Sequence, residues 1–234
     1  MGKICLIRQP AGIGDIFFTQ KIADTYIKKG FKVIWPVIPE FTYLNDYIKT
    51  DGLVFVNEND DFPLKEYYLS NHTLPYEISE NEIYIPIQHF DGHYNGSVMH
   101  AKYGVLGIDF SDWVDYFNFN RNLEREQKIL DHYNIKNNEF TVVNRLYGSP
   151  PNSLVCDKIG KFDNSIEMEY LGWDNLFDWV GLLLKAKSIH TVETSLVYII
   201  SKLKLDNTVV YSKPNFNSFF HVKDIHNKNI KLVK

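Results

Sequence analysis

The segment QPAGIGD, at positions 9–15, is the first part of the chain whose residue types could do chemistry. Gly12 and Gly14 permit backbone conformations and close approaches that side chains forbid, and the unpaired amides of a helix start attract anions. Asp15 has two interpretations. It could cap the helix through the amide of a residue two or three positions later, worth about 1 kcal/mol, or it could be a carboxylate that takes part in a reaction. Spacing alone favours the cap.

Two common phosphate-binding motifs do not fit this segment. The dinucleotide fingerprint GxGxxG would need its third glycine at Phe17, and no GK[ST] sequence of a P-loop follows. The turn is therefore not a standard nucleotide-binding loop.

A second polar turn lies in HTVETSLVYIISKL, at positions 190–203. We expect a strand to end at Glu193 and a helix to open with Thr194 and Ser195. Hydroxyl groups at a helix start are ordinary caps, but they also bind nucleotide diphosphates or ribose. Arg145, after the first predicted strand of the second half, could bind a donor phosphate or form an interdomain salt bridge.

His89 and His93 lie in a glycine-containing loop after a predicted strand. They could touch an acceptor substrate, or they could be ordinary exposed histidines. A zinc site is disfavoured because Gly92 and Gly96 make a regular helix unlikely and no third ligand has the right spacing. The spacing of Asp109, Asp112 and Asp115 is ordinary for a helix face or loop, so we expect no metal.

The elements that must position these residues alternate between strands and helices. Apolar runs and helical periodicity in the first half predict strands over 3–9, 32–38, 52–57 and 82–88, and helices over 15–30, 41–49, 98–106 and 123–133. The polar stretch 58–81 is predicted to be irregular. In the second half the patterns predict strands over 140–146, 188–193 and 207–212, and helices over 175–187 and 194–203.

This order predicts an α/β protein of two small Rossmann-like domains facing a cleft, with domains at 1–125 and 126–234. Net charge and hydrophobicity exclude some classes of function. The net charge of −4 argues against a nucleic-acid surface, and no apolar run approaches the roughly 20 residues that cross a bilayer. With no signal-peptide core and only two isolated cysteines, Cys5 and Cys156, we expect a cytoplasmic protein without a transmembrane segment.

The two turns together resemble the GT-B glycosyltransferases, particularly the ADP-heptose:lipopolysaccharide heptosyltransferase family. Near their start those enzymes carry a glycine-rich turn and Gly-Asp before a helix, similar to GIGDIFFTQKIADTYIKKGFKVIW here. Their second domain carries Asp-(Ser/Thr)-Gly-x-x-His-x-Ala after a strand, which VETSLVYIISKL resembles. The stretch MHAKYGVLGIDFSDWVDYFNF resembles their connection out of the first domain, so the resemblance covers most of the chain.

The second motif departs from the family pattern at its acidic, glycine and histidine positions. Glu193 stands where the family has Asp, Ser195 replaces its glycine and Tyr198 replaces its histidine, whereas Thr194 matches. The chain is also shorter than typical members and lacks a clear Lys-x-Trp motif. These differences leave open a noncatalytic binding or assembly protein on a GT-B-like scaffold. A flavodoxin-like or other nucleotide-binding module is a third alternative, and it requires one continuous sheet.

The resemblance implies a metal-independent, inverting transfer of a sugar from a nucleotide-diphosphate sugar to an acceptor hydroxyl, with no cofactor. Asp15 matches the family's catalytic carboxylate and would remove the acceptor's proton. The N-terminal domain would bind a glycan or lipid-linked acceptor, with contacts from His89 and His93. The C-terminal domain would bind the donor, and the residues assigned to donor binding are Gly12, Gly14, Arg145, Glu193, Thr194, Ser195 and Tyr198.

Overall fold

The computed structural model of the protein describes residues 2–70, 72–88, 98–148, 154–214, 219, 225–226 and 230–234. It is an α/β structure that divides into two compact units, Met1–Asn120 and Arg121–Lys234. Each unit is built around its own five-stranded sheet. The alternative of a single continuous sheet is therefore wrong.

Unit 1 begins with the buried strand β1 (Lys3–Arg8), in which Cys5, Leu6 and Ile7 are all fully buried. A central parallel strand is covered on both faces, which explains its unbroken apolar run. The later elements of the unit are α1 (Ile13–Phe18), α2 (Gln20–Lys28), β2 (Phe31–Val37), a 3-10 turn at Pro39–Phe41, α3 (Leu44–Tyr47), β3 (Leu53–Asn57), α4 (Lys65–Tyr68), β4 (Tyr76–Ser79), β5 (Glu82–Pro86), α5 (Val98–Gly104) and α6 (Trp113–Tyr116).

The sheet of unit 1 has the order β3-β2-β1-β5-β4. The first four strands are parallel, and β4 pairs antiparallel with β5. After β1 the chain adds β2 and β3 on one side and later returns to add β5 on the other side. The gap between the carboxyl ends of β1 and β5 is therefore a topological switch point, where open α/β sheets bind their ligands.

Unit 2 contains α7 (Leu123–His132), β6 (Thr141–Asn144), β7 (Leu146–Tyr147), β8 (Leu154–Val155), β9 (Ser165–Glu167), a 3-10 turn at Leu176–Trp179, α8 (Val180–Lys185), β10 (Ser188–Val192), α9 (Leu196–Leu203), β11 (Thr208–Tyr211) and β12 (Lys231–Val233). Its sheet is parallel with the order β12-β11-β10-β6-β9, while β7 and β8 form a separate hairpin pair. The switch point of this sheet lies between β6 and β10.

The structure corrects several of the predicted elements. The single helix expected over 15–30 is two helices, because Thr19 interrupts it and both its amide and its hydroxyl donate to the carbonyl of Asp15. The stretch 58–81 is not wholly irregular, since α4 and β4 lie within it. Strand β12 was not predicted at all.

Candidate functional site

Both polar turns identified in the sequence lie at topological switch points. The turn holding Asp15 follows β1 in unit 1, and the turn holding Glu193 and Thr194 follows β10 in unit 2. Strand topology therefore places each turn where its own sheet is expected to bind a ligand.

Asp15 does not cap the helix that it was expected to cap. Helix α1 begins two residues earlier, and its N-cap is Gly12, in the left-handed conformation with φ 76°. The carbonyl of Gly12 accepts the first helical hydrogen bond, from Ile16 at 3.1 Å. Asp15 lies in the first turn of α1, where the positive end of the helix dipole stabilises a carboxylate. The capping interpretation is therefore wrong.

The carboxylate of Asp15 pairs instead with a lysine that the sequence did not single out. The Nζ of Lys102, on α5, lies 3.1 Å from Asp15 Oδ1; 30% of the Asp15 side chain is exposed but only 2% of the Lys102 side chain. The same Nζ donates at 2.6 Å to the Oε1 of Gln9 and at 2.6 Å to the carbonyl of Ile87. Gln9 follows β1 and Ile87 follows β5, so Lys102 spans the switch point.

Burial and the neighbouring carboxylate have opposite effects on the pKa of Lys102. Desolvation lowers the pKa of its ammonium group, and the nearby Asp15 carboxylate partly restores it. A buried ammonium needs such oxygen partners because its bare charge is costly in an apolar interior. The carboxylate that stays partly exposed is thus fixed from its buried side.

The two glycines of the first turn have different positions. A Cβ on Gly12 would lie less than 3.0 Å from Asp15 Oδ2, closer than Cβ atoms approach real neighbours. Gly14 is buried within α1. Gly12 therefore makes room for the Asp15 carboxylate, and the donor-binding role of both glycines stays a prediction.

In unit 2 the switch point is spanned by Asn144, which the sequence analysis did not single out. Its Nδ2 donates to the Oγ1 of Thr191 at 3.0 Å and to the Oγ1 of Thr194 at 3.3 Å, while its Oδ1 accepts from the amide of Leu146. The Thr194 hydroxyl also accepts a hydrogen bond from the amide of Leu196, at 3.4 Å. One amide side chain thus ties the end of β6 to the turn that follows β10.

Glu193 is a largely buried carboxylate at this turn. It is 7% exposed, and burial raises its pKa, an effect that Lys213 opposes. Its amide completes the pairing with β11 by donating to Tyr211 at 2.9 Å. Within the described part of the chain, no hydrogen bond holds its carboxylate. An ionised carboxylate with no such partner can accept hydrogen bonds from the hydroxyl groups of a ligand.

A lysine close to this turn was also missed. Lys158 donates from Nζ to the hydroxyl of Ser212 at 2.9 Å, and Ser212 directly follows β11, the neighbour of β10. Lys213 is the next residue along the chain. Two cations therefore lie at the carboxyl edge of this sheet, and no spacing motif indicated Lys158 because its position depends on the long loop before β9.

Arg145 forms an ion pair inside unit 2 rather than the interdomain bridge that was one alternative. Its guanidinium binds the Glu167 carboxylate, with Nε 3.1 Å from Oε2, and it also donates to the carbonyls of Ile159 and Gly160. These contacts hold the loop before β9 against β6. A donor-phosphate contact stays a prediction, and it would compete with Glu167.

The remaining predicted residues of the second turn differ in exposure. Ser195 is the N-cap of α9 but makes no side-chain capping bond. Tyr198 is buried, and its ring packs edge-on against His226 with centroids 5.0 Å apart. The predicted donor contacts of both residues remain untested. His89 and His93, the predicted acceptor contacts, lie outside the described residues.

Comparison with known proteins gives a fold likeness only. No family model matches the chain, and no curated protein matches it in sequence. A crystal structure of a family 9 glycosyl transferase from Veillonella parvula DSM 2008 is similar, with a TM-score of 0.58 and 8% identity over 99% of this chain and 86% of that one. The crystal structure of TibC, an iron-containing dodecameric glycosyltransferase from enterotoxigenic E. coli H10407, is also similar. Its TM-score is 0.52 and its sequence identity is 11%, over 95% of this chain and 65% of that one. The predicted Rossmann-like α/β class is confirmed.

The residues that the structure describes contain neither a cluster suited to a metal ion nor a helix that could cross a membrane. Within them, no three His, Cys, Asp or Glu side chains are grouped so that they could hold a metal ion. None of the helices found in those residues is both long enough and apolar enough to cross a membrane.

Proposed function

We propose that this protein is a glycosyltransferase that moves a sugar from a nucleotide-diphosphate donor to an acceptor hydroxyl, with inversion and without a metal ion. The observation that carries the proposal is the Asp15 carboxylate, which is partly exposed at the carboxyl end of β1 and is not consumed as a helix cap. The fold shared with two glycosyltransferases supports it. Fold alone does not specify chemistry, so the residues must carry the rest.

In the proposed reaction Asp15 is the general base. The acceptor oxygen attacks the anomeric carbon, its proton passes to the Asp15 carboxylate, and the bond from that carbon to the diphosphate oxygen breaks. A correctly placed general base contributes about 10² to 10⁴ in rate. Unit 1 would hold the acceptor, a glycan or lipid-linked alcohol, with contacts from His89 and His93.

Unit 2 would hold the donor at its own switch point. Glu193 suits the ribose hydroxyls because its buried carboxylate accepts hydrogen bonds. The positive end of the α9 dipole suits the departing diphosphate, while the amides of Leu196, Val197 and Tyr198 donate within the turn itself. Lys158 and Lys213 add positive charge at the same edge of the sheet. These groups would stabilise the charge that grows on the leaving group.

We further propose that the reaction takes place in the cytoplasm. Cys5 and Cys156 are both free and buried, as expected where thiols stay reduced.

Calorimetry with UDP-, GDP-, ADP- and dTDP-sugars tests the donor site first. We expect one class of nucleotide to bind, and Glu193→Gln to weaken that binding. Glu139→Gln is the matched control, because it makes the same charge change in unit 2 just before the amino end of β6. If none of the nucleotide sugars binds, the noncatalytic scaffold is the better explanation.

The base is tested by Asp15→Asn in a transfer assay with the donor that binds. We expect kcat to fall by about 10² to 10⁴ while the donor Kd is unchanged. Asp24→Asn is the control, since Asp24 is also on a helix of unit 1 and pairs with a lysine. An Asp15→Asn variant that transfers sugar at the wild-type rate would refute the proposed role.

A further inference from the structure

We propose that Lys102 is the positioning residue of the reaction: it fixes one oxygen of the Asp15 carboxylate so that the other faces the acceptor. The inference rests on the proposed function of Asp15. It adds a residue from a distant helix, α5, to the site.

The first support is the rigidity of the socket around the ammonium group. Among the described residues, Nζ of Lys102 contacts Gln9 Oε1 and the Ile87 carbonyl at 2.6 Å each, and Asp15 Oδ1 at 3.1 Å. Gln9 is itself fixed, since its Nε2 donates to Ala11 and its carbonyl accepts from the Trp35 indole at 3.1 Å. The position of Nζ is therefore set by the ends of two central strands.

The second support is the different surroundings of the two Asp15 oxygens. Oδ1 faces the ammonium group, whereas Oδ2 lies over Gly12, within the space that a Cβ there would occupy. The Lys102 side chain is 2% exposed and that of Asp15 is 30% exposed. A carboxylate held at one oxygen by a buried donor keeps a single orientation, which a base needs if it is to meet a hydroxyl at hydrogen-bond distance.

Lys102 also has a packing role, because it is the donor for the buried oxygens of Gln9 and Ile87. Replacing a whole buried ion pair by apolar side chains is often neutral, but removing one partner leaves the other charge uncompensated. We therefore expect Lys102→Met to lower stability as well as activity, and the test must separate the two effects.

The test is a double-mutant cycle in the transfer assay. We expect Lys102→Met to lower kcat by about 10²-fold, the loss typical of a reactive group misplaced by 1 Å, with the donor Kd and acceptor KM unchanged. In an Asp15→Asn background the same substitution should cause no further loss, because Lys102 acts through Asp15. Additive losses would overturn the inference.

Lys21→Met is the matched control. Lys21 is another largely buried lysine of unit 1 in an ion pair, with Asp112, and it does not contact Asp15. We expect it to leave kcat unchanged, and an equal fall in both variants would overturn the inference. If Lys102→Met does not fold, Gln9→Met is used in its place. That variant removes one partner of the Lys102 ammonium group, and we expect it to lower kcat as well.

A second experiment, by NMR, does not depend on catalytic turnover. The ¹³Cγ resonance of Asp15 is compared at one pH in the wild type, Lys102→Met and Lys21→Met. We expect it to move only in Lys102→Met; an unchanged resonance in that variant would overturn the inference. If the wild type transfers no sugar, the proposed function fails, while this measurement still decides whether Lys102 fixes the carboxylate.

Discussion

Replacing Gly12 by alanine should disrupt the Asp15–Lys102 pair through a steric clash. The new Cβ would lie less than 3.0 Å from Asp15 Oδ2 and 3.2 Å from its Cγ, so the carboxylate must rotate away. Gly12 also has a left-handed backbone, with φ 76°. The substitution therefore combines backbone strain with the loss of an ion pair.

The two costs can be separated by a control glycine. Gly30 has φ 86°, and nothing lies within 4 Å of a Cβ placed on it, so Gly30→Ala should cost only the left-handed strain of about 1–2 kcal/mol. Breaking a buried ion pair costs about 3–5 kcal/mol, and the partial exposure of Asp15 favours the lower end. We therefore expect Gly12→Ala to lower the free energy of unfolding of unit 1 by about 4–5 kcal/mol.

Hydrogen exchange of the β1 and β5 amides, followed by mass spectrometry, measures this unit without a contribution from the other. In an Asp15→Ala background the clash disappears, and Gly12→Ala should then cost no more than Gly30→Ala. Equal losses for Gly12→Ala and Gly30→Ala in the wild-type background would refute the clash.

Two further predictions concern unit 2. Burial lowers the pKa of His226 from its ordinary 6.5 to about 3, so only the unfolded state takes up a proton between these values; stability should fall as pH drops through that window, by at most about 1.4 kcal/mol per pH unit. Urea unfolding from pH 6.5 to pH 4 should show this slope, and His226→Gln should remove it; an equally steep slope in the variant would contradict the assignment. Arg125→Met should cost about 3–5 kcal/mol, because it leaves the fully buried Asp178 carboxylate without its guanidinium partner. Thermal unfolding against Lys187→Met, which breaks an exposed pair worth less than about 1 kcal/mol, checks it, and similar losses in both would count against the buried charge.

The sequence predicted the central strands well because they are buried on both faces. The runs in β1 and β2 are apolar over most of their length, and such runs need no tertiary information. It failed for the four-residue elements α4 and β4. These are stabilised by contacts that no local pattern contains, such as the antiparallel pairing of β4 with β5.

At the candidate site, the sequence identified the groups that stand in polar turns and missed the groups whose positions depend on distant segments. Asp15 and Glu193 stand in turns whose flanking patterns are easy to recognise. Lys102 was missed because a lysine in an amphipathic helix is normally solvated, and its burial depends on oxygens from distant segments, among them Gln9 Oε1 and the Ile87 carbonyl. The capping interpretation of Asp15 failed because Gly12, in a left-handed conformation, takes the N-cap position first.

The socket of Lys102 also bears on how unit 1 is assembled. Lys102 and its partner Gln9 are 93 residues apart in the chain, so the ammonium group cannot be buried until β1, β5 and α5 have come together. A contact of such long range carries a loop-closure cost that a local turn does not have. During synthesis the glycine turn and Asp15 leave the ribosome long before their counterion exists. The orientation of the carboxylate therefore cannot be fixed until α5 has packed against the ends of β1 and β5.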